Sequence, residues 1–279
     1  MPTVAEKRRT FRALHQQGCF VIPNPWDIGT ARYLQHLGYK ALASTSAGFA
    51  FAEGYADNAI TRDMALAHLR ELVAATDVPV NADFEGGFAD APEGVAESVT
   101  LAVATGVAGL SIEDSTGDKD NPLYAFDLSV ARIRAARAAI DQAGGEVMLT
   151  ARSEGFLVGR PDIDETIRRL KAFAAAGADC LYAPGLRTRE LIGQVINAVA
   201  PKPVNIIMSG PLGITVAELA ALGTRRISVG SALSRVAWGA FIRAAKQIAD
   251  EGRFDAFADG APHQELNAFF RDDMKKRPQ

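Results

Sequence analysis

The chain has 279 residues, of which 48% are hydrophobic and 23% are charged, and its formal net charge is -3. These values are ordinary for a globular protein and argue against a nucleic-acid-binding or anionic-membrane-binding surface. No apolar run approaches the roughly 20 residues of a membrane-spanning helix, and the polar N-terminus lacks the apolar segment of a signal peptide. We therefore expect a cytoplasmic protein.

The chain has two cysteines, Cys19 and Cys180, and each precedes an apolar, strand-like run. Cysteine is among the most often buried residues when free, and disulfides are rare in cytoplasmic proteins. We therefore expect two buried free thiols and no disulfide.

Short apolar runs alternate with longer helical patterns, and eight of these runs are predicted strands. Most are rich in Val, Ile, Leu or Ala, as is typical of strands that are buried on both faces. The predicted strands are Cys19–Ile22, Ala41–Ser44, Val80–Asp83, Gly109–Glu113, Val147–Arg152, Cys180–Ala183, Val204–Ile207 and Arg226–Val229.

Amphipathic helices are predicted between the strands, most clearly over Val130–Ala143 and Ile163–Ala176. In both, apolar residues recur every three or four positions and arginines lie on the opposite face. Gly38, Gly106 and Gly177 each follow a predicted helix just before the next strand. This position suits the left-handed conformation that ends many helices.

Eight strands that alternate with helices predict an α/β fold, a closed parallel (β/α)8 TIM-type barrel. A doubly wound sheet is the competing fold. It usually has fewer strands and often a glycine-rich phosphate turn after its first strand, whereas the segment here is Pro23-Asn24-Pro25-Trp26-Asp27. We predict one domain over residues 1–279, with a C-terminal helical extension over about 232–279 that ends in a helix near Gln264–Lys275. This extension is expected to serve packing or subunit contacts.

Reactive groups of a parallel barrel gather at the C-terminal ends of its strands. Asp83 ends the third predicted strand and Glu85 follows it, Glu113 ends the fourth and Asp114 follows it, and Arg152 ends the fifth. Carboxylate oxygens suit Mg²⁺, which takes one or two of them directly and keeps several waters. Arginine binds a substrate carboxylate through its planar fork, and the set would stabilise an enolate.

Each of these residues also has a purely structural interpretation. Asp83 could cap the next helix, Glu113 and Asp114 could be a solvated loop pair, and Arg152 could be their ion-pair partner. The four histidines fall in helical stretches away from strand ends, and surface or packing roles are expected for them. No histidine pair has metal-ligand spacing, so zinc is not expected. The histidines are His15, His36, His68 and His263.

Six motifs, in order between Phe11 and Trp238, resemble the isocitrate lyase/phosphoenolpyruvate mutase superfamily. The resemblance implies the barrel fold, Mg²⁺ or Mn²⁺ as cofactor, and a homotetramer in which neighbours exchange a C-terminal helix. The motifs are Asn24-Pro25-Trp26-Asp27, Ser44-Thr45-Ser46-Ala47-Gly48, Gly54-Tyr55-Ala56-Asp57, Asn81-Ala82-Asp83, Ser111-Ile112-Glu113-Asp114 and Thr150-Ala151-Arg152-Ser153-Glu154.

The resemblance also implies individual roles. Asp83 resembles the metal-binding aspartate, Asp57 and Glu113 resemble carboxylates that hold metal-bound water, and Arg152 resembles the arginine on the substrate carboxylate. A turn that binds the 2-oxo acid through amides and a hydroxyl corresponds to Thr45, Ser46 and Ala47. Asn205, at the start of the seventh strand, is a further candidate for substrate binding.

Three departures from the family pattern bear on function. The family's strand-three motif has two aspartates around an alanine, and Asn81 replaces the first of them, which makes Glu85 a candidate substitute and metal-site residue. The lyases carry a Lys-(Lys/Arg)-Cys-Gly-His loop after strand four, whereas the loop here reads Lys119-Asp120-Asn121-Pro122-Leu123. The lyase glutamate after strand six is replaced by Pro184-Gly185.

The missing loop cysteine argues against isocitrate or 2-methylisocitrate cleavage by the usual mechanism. Our main hypothesis is a Mg²⁺-dependent lyase for a small 2-oxo or 2-hydroxy acid, which cleaves a C–C bond or decarboxylates through a metal-stabilised enolate. Lys119 and Asn121 resemble loop residues of the phosphonate-acting branch, so a C–P mutase or hydrolase is the alternative, with both residues as catalytic candidates. A non-catalytic 2-oxo acid binder is the third hypothesis. A lid over Ser115–Asp127 is expected to close on the substrate.

Overall fold

The computed structural model describes residues 2–277. The chain divides into two compact units, Met1–Ser231 and Ala232–Gln279. The first contains all eight strands and the second contains only helical elements.

Eight parallel strands form the centre of the first unit. All eight predicted strands are present, and each differs from its predicted bounds by at most one residue at either end. The strands are β1 Phe20–Ile22, β2 Leu42–Ala43, β3 Val80–Asp83, β4 Gly109–Glu113, β5 Met148–Arg152, β6 Cys180–Tyr182, β7 Val204–Ile207 and β8 Arg226–Ser228.

Helices follow the strands and cover the outside of the sheet. The helices of the first unit are α1 Val4–Leu14, α2 Ile28–His36, α3 Ser46–Ala52, α4 Arg62–Ala75, α5 Pro92–Ala104, α6 Phe126–Gln142, α7 Ile163–Ala175, α8 Arg189–Val199 and α9 Val216–Ala221. The second unit has α10 Ala232–Glu251, a 3₁₀ segment Asp255–Asp259 and α11 His263–Lys275.

The strand order is β1-β8-β7-β6-β5-β4-β3-β2, which is a nearly closed ring. Between the two end strands, the Ala43 amide donates to the Pro23 carbonyl at 3.1 Å. Eight parallel strands with helices between them make this a (β/α)8 barrel, as the sequence predicts.

The two helices that were predicted most clearly illustrate how well local signals define helix bounds. Helix α7 begins where predicted, since Asp162 caps it by accepting from the Glu165 amide at 3.0 Å. Helix α6 begins at Phe126, four residues earlier than predicted, because Ala125 precedes it without any side-chain cap that would signal the start. The glycines Gly38, Gly106 and Gly177 have φ values of 90°, 89° and 106°, as expected for helix ends.

Helix α1 closes the end of the barrel at which the strands begin. Its Phe11 is fully buried and packs with Ile22 and Met148 in the interior. A β-carbon on Gly109, the first residue of β4, would lie 2.6 Å from the Phe11 ring. Glycine is therefore required there, and the barrel is open only at the C-terminal ends of its strands.

The second unit exposes several large apolar side chains, which include Val236, Phe241, Phe254, Phe257 and Met274.

No helix within residues 2–277 is long and apolar enough to cross a lipid bilayer. Both cysteines are free thiols. Cys180 is buried, as predicted, whereas Cys19 is only partly buried.

Candidate active site

The C-terminal ends of the strands surround a cavity of about 140 Å³. Pockets for drug-sized ligands are usually about 300–1,000 Å³, so this cavity suits a compact molecule. Four predicted site residues do not line it, namely Glu85, Glu113, Lys119 and Asn121. The predicted residues that do are Thr45, Ser46, Ala47, Asp57, Asp83, Arg152 and Asn205.

Arg152 connects three carboxylates at the cavity mouth. Its Nη1 lies 2.7 Å from Asp83 Oδ1, its Nη2 lies 3.0 Å from Glu113 Oε2, and its Nε lies 2.8 Å from Glu154 Oε1. The pairing of β4 with β5 sets Glu113 directly beside Arg152, and the Arg152 guanidinium lies 5.0 Å from the centre of the Tyr182 ring. The structure thus brings together three of the residues predicted from strand ends.

The mouth holds more acidic than basic side chains. Burial raises the pKa of Glu113 and of Glu154 above the ordinary value, although the Arg152 charge opposes this effect. Burial alone would lower the pKa of Arg152, but its carboxylate partners, Glu154 first, raise it well above the usual range. One arginine faces three acidic side chains, and such an excess favours the binding of a cation.

Asp83 is held by the turn that precedes α3. Its Oδ2 accepts from the Ser46 amide at 3.0 Å and from the Ser46 hydroxyl at 2.9 Å, and its own amide donates to Ser44 Oγ at 2.8 Å. Thr45 caps α3 by accepting from the Gly48 amide at 3.2 Å. A β-carbon at Gly48 would lie 2.6 Å from Thr45 Cγ2, so this tight turn requires glycine.

Two further carboxylates lie near Asp83. Glu85 has a φ of 48°, and its buried Oε1 has no hydrogen-bond partner within residues 2–277. Burial, and then the charges of Asp83 and Asp57, raise the pKa of Glu85 to about 7. Asp57 lines the cavity, and desolvation followed by the Asp83 charge raises its pKa. The orphaned Glu85 oxygen is a polar atom for which the described chain supplies no donor.

A second ion pair lies behind Glu154. Asp114 Oδ1 accepts from the Glu154 amide at 2.7 Å, and Asp114 Oδ2 lies 3.0 Å from Arg169 Nη1. Arg169, from α7, also contacts Glu165 at 2.7 Å. Both members of the pair are buried, and burial raises the pKa of Asp114. This pair fixes the backbone of the residue that holds Arg152.

Strand-end reasoning did not single out Asn24 as a functional side chain. Its Nδ2 donates to the Ser44 carbonyl at 2.8 Å, and its Oδ1 accepts from the Val229 and Gly230 amides, each at 2.9 Å. It therefore connects the ends of β1, β2 and β8 where the ring of strands is least complete. The signal was its place directly after the first strand, within the motif Asn24-Pro25-Trp26-Asp27.

A polar layer lies deeper in the barrel. Asn205 donates to Ser228 Oγ at 2.9 Å and accepts from Arg226 Nε at 2.8 Å. Arg226 Nη1 also donates to Asn81 Oδ1 at 3.4 Å. Asn81, where the family pattern has an aspartate, therefore contacts a buried arginine. Reasoning from strand ends missed Arg226 because it is the first residue of β8.

The lid predicted over Ser115–Asp127 does not bring its catalytic candidates into the cavity. Its last two residues, Phe126 and Asp127, belong to the first turn of α6, so the loop itself ends at Ala125. Lys119 and Asn121 are exposed. The base of the loop is anchored, since the Thr116 amide donates to the Pro122 carbonyl at 3.1 Å and the Tyr124 amide donates to the Asp114 backbone carbonyl at 3.0 Å. Catalytic roles for Lys119 and Asn121 stay predictions that require this loop to move.

None of the four histidines lines this cavity. His15 packs edge-on against Phe11 and Phe20, with ring centres 4.7 and 5.0 Å away, and His68 stacks on Phe49 at 4.0 Å. Burial lowers the pKa of His15 to about 3 and that of His68 to about 4. Both rings are therefore neutral packing groups at physiological pH.

Taken together, the fold and the cavity define a (β/α)8-barrel enzyme with an acidic mouth that is built around one arginine. The family model described as phosphoenolpyruvate phosphomutase matches residues 11–249. The chain therefore belongs to the isocitrate lyase/phosphoenolpyruvate mutase superfamily, whose members include lyases and mutases.

Three relatives show the range of this family. A solved structure from Burkholderia cenocepacia J2315, provisionally named a lyase/mutase, is 50% identical, covers 96% of this chain and 97% of its own, and has a TM-score of 0.93. The oxaloacetate decarboxylase of Paraburkholderia xenovorans is 28% identical over 81% of this chain and 76% of its own length. Oxaloacetate acetylhydrolase in complex with its product oxalate is 26% identical over 98% of this chain and 97% of its own, with a TM-score of 0.85.

Proposed function

We propose that the protein is a Mg²⁺-dependent lyase that acts on a short 2-oxo or 2-hydroxy acid through an enolate. The observation that carries this proposal is the cavity in which Asp83, Arg152 and the Ser46 turn converge beside unpaired acidic groups. The relatives named for oxaloacetate chemistry support the same substrate class.

The donor set fits a magnesium ion. Within residues 2–277, no three acidic, histidine or cysteine side chains are arranged to hold a metal directly. Mg²⁺ does not require such a cluster, because it usually takes one or two carboxylates and keeps several waters. Asp83 would hold the ion, and Asp57, Glu85 and Glu113 would hold its waters. The orphaned Oε1 of Glu85 is consistent with this role.

The residues of the chain would divide the work as follows. When bound, the metal supplies positive charge where the enolate oxygen develops. The Ala47 amide and the two unused N–H groups of Arg152 remain available for a substrate carboxylate, because arginine has five donors and three are taken. The Ser46 amide already donates to Asp83 and holds that carboxylate in place. The loop from Ser115 to Ala125 would close over the cavity and exclude water.

Decarboxylation of oxaloacetate illustrates the chemistry that such a site supports. The bond from C3 to the C4 carboxylate breaks, carbon dioxide leaves, and the electron pair forms the enolate of pyruvate, which takes a proton at C3. In a retro-aldol cleavage of a 2-hydroxy dicarboxylate, a base takes the hydroxyl proton and the C2–C3 bond breaks. C2 becomes the carbonyl carbon of a 2-oxo acid, and the electron pair forms the enolate of the remaining carboxylate, which takes a proton at carbon. Both reactions need the enolate to be stabilised, which is what a charged cavity mouth provides.

The test is pyruvate release, coupled to lactate dehydrogenase, from oxaloacetate, 2-methylisocitrate and phosphonopyruvate, each with Mg²⁺ and with EDTA. We expect EDTA-sensitive release of pyruvate, above the spontaneous background, from oxaloacetate or 2-methylisocitrate, in which a C–C bond breaks. Release from phosphonopyruvate alone would replace the proposal with C–P chemistry, for which the family model's name is the support. Binding of oxo acids without turnover would favour the binder hypothesis instead.

We also propose that the protein assembles as a homo-oligomer, a tetramer by resemblance to its family. The exposed side chains of Val236 and Phe241, which are 71% and 60% accessible, support this proposal. Light scattering after size-exclusion chromatography would measure the mass, and a monomer of 29.7 kDa at micromolar concentration would contradict it.

A further inference from the structure

Arg226 is a buried cation that forms no ion pair with a carboxylate of residues 2–277. Its side chain points into the barrel from the start of β8, and the residue is 3% exposed. Its hydrogen bonds within residues 2–277 go to two amide oxygens, Asn205 Oδ1 and Asn81 Oδ1, and its Nη2 donates to neither. A buried charge that is not paired is costly, so a bare guanidinium at this place calls for a counter-anion.

The groups around Arg226 do not supply that anion. His15 and Cys180 lie close enough to feel its charge, but burial lowers the pKa of His15 to about 3 and raises the pKa of the Cys180 thiol. Both side chains are therefore neutral at physiological pH. Asn81 and Asn205 offer only dipoles, and the carboxylates of the mouth pair with Arg152 instead.

A second buried arginine is held mainly by backbone carbonyls, although its Nε has no partner within residues 2–277. Arg132, 1% exposed, donates to the backbone carbonyls of Gly86, Ala89 and Asp90, and it lies over the Tyr124 ring at 3.9 Å. It does not line the central cavity. Arg226 does line it, and so its side chain borders the space that a ligand would fill.

We propose that Arg226 binds a second anionic group of the substrate, a carboxylate at the end of the chain opposite the oxo acid. This inference rests on the proposed function, since it takes the oxo acid end to lie at Asp83 and the mouth. The planar guanidinium fork matches a carboxylate, and the small cavity limits the acid to a few carbons. A terminal phosphonate would use the same charge.

The inference also bears on which bond breaks. A carboxylate that is paired with a buried arginine is stabilised in its charged form in the ground state, and this opposes its loss as carbon dioxide. Among the reactions proposed above, Arg226 therefore favours cleavage of a C–C bond that leaves this carboxylate on a product. Decarboxylation at this end of the substrate is disfavoured.

The experiment compares two four-carbon 2-oxo acids by calorimetric titration in Mg²⁺. One is 2-oxobutyrate, which ends in a methyl group, and the other is 3,3-difluorooxaloacetate, which ends in a carboxylate. Hydrogen bonds to charged groups lead us to expect about 10- to 100-fold tighter binding of the dicarboxylate. Phosphonopyruvate serves as a third ligand, and its tighter binding would assign the same anion site to C–P chemistry.

Two variants test whether Arg226 is the cause of this preference. Asn205→Asp is isosteric and places a carboxylate at the atom now 2.8 Å from Arg226 Nε, so it should remove most of the preference. Arg226→Lys keeps a charge but loses the fork and should reduce the preference several-fold. Arg225→Lys is the matched control, because Arg225 donates to the Gly18 carbonyl and does not line the cavity, and it should leave the preference unchanged.

The ratio of the two affinities separates the inference from the function on which it rests. A merely structural role for Arg226 would weaken both ligands in parallel and leave their ratio unchanged in both variants, which would overturn the inference. Equal binding of both acids by the unmodified protein would overturn it as well and leave the 2-oxo acid function standing. Failure of either acid to bind at all would overturn the proposed function and the inference with it.

Discussion

The buried pair between Asp114 and Arg169 should dominate the response of the barrel to a single substitution, Arg169→Met. Asp114 is 2% exposed, and this change leaves its carboxylate with one remaining donor that the structure identifies, the Glu154 amide at 2.7 Å. Removing one partner of a buried pair typically costs about 3–5 kcal/mol. For a unit of this size, about 3 kcal/mol corresponds to a fall of roughly 6–12 °C in the unfolding midpoint.

The neighbouring residue provides a matched control. Arg168 contacts the same Glu165, but at the surface, so Arg168→Met should change the midpoint little. Calorimetry measures both variants. The double variant Arg169→Met/Asp114→Asn should recover part of the loss, because it no longer buries an unpaired charge.

The pH dependence of the Arg169→Met variant gives a further check. Burial already raises the pKa of Asp114, and loss of Arg169 raises it further. The folded state then binds more protons than the unfolded state, so the deficit of the variant should shrink as pH falls toward the ordinary Asp value of about 3.9. An unchanged midpoint, or a loss equal to that of Arg168→Met, would refute this account of the buried pair.

Three other outcomes are expected. Asp83→Ala should abolish turnover and also Mn²⁺ binding measured by electron paramagnetic resonance. Asp63→Asn, an exposed change on α4, is the control and should leave both intact. Full activity of the Asp83→Ala variant would contradict the assignment of Asp83 to the metal. Because the pKa of His68 is lowered to about 4, the unfolded state binds more protons at this residue below about pH 6.5, and His68 alone should lower the free energy of unfolding by about 3 kcal/mol between pH 7 and 4. His15, whose pKa is about 3, contributes in the same direction, so in urea titrations His68→Phe should remove about 3 kcal/mol of the total fall and leave the rest. Burial raises the pKa of both thiols, so Ellman's reagent should react slowly with the native protein at pH 8. In urea the reagent should react quickly with two thiols per chain. Rapid reaction with the native protein would contradict the buried environment.

The strands were predictable because the signal is local. Strands such as β4 and β7 are short, apolar and bounded by helical patterns, and their bounds agree with the sequence reading. The start of α6 was not predictable, since Ala125 offers no capping side chain. Local patterns therefore identify an element more reliably than they place its ends.

The candidate site shows the same division between local and long-range information. Asp83, Glu113 and Arg152 could be grouped from their strand ends, because topology alone brings those ends together. The sequence offered an ion pair of Arg152 with Glu113 or Asp114 as one interpretation, but it could not show that Arg152 would pair with Asp83, Glu113 and Glu154 at once. Arg226 was missed for a different reason. It is the first residue of its strand, whereas the rule applied to the sequence considers only residues at the C-terminal ends of strands.

The placement of charge along the barrel axis gives the two arginines different tasks. At the mouth, Arg152 is held by three carboxylates, and its fixed position shapes a region with more acidic than basic side chains, which suits a divalent cation. Deeper in the barrel, Arg226 is held by two amides that orient it without neutralising it. A ligand with an oxo acid at one end and an anion at the other would complement both regions at once. A monocarboxylate could complement only one of these regions. The difference in affinity between the two kinds of ligand is the specificity that we expect of this cavity.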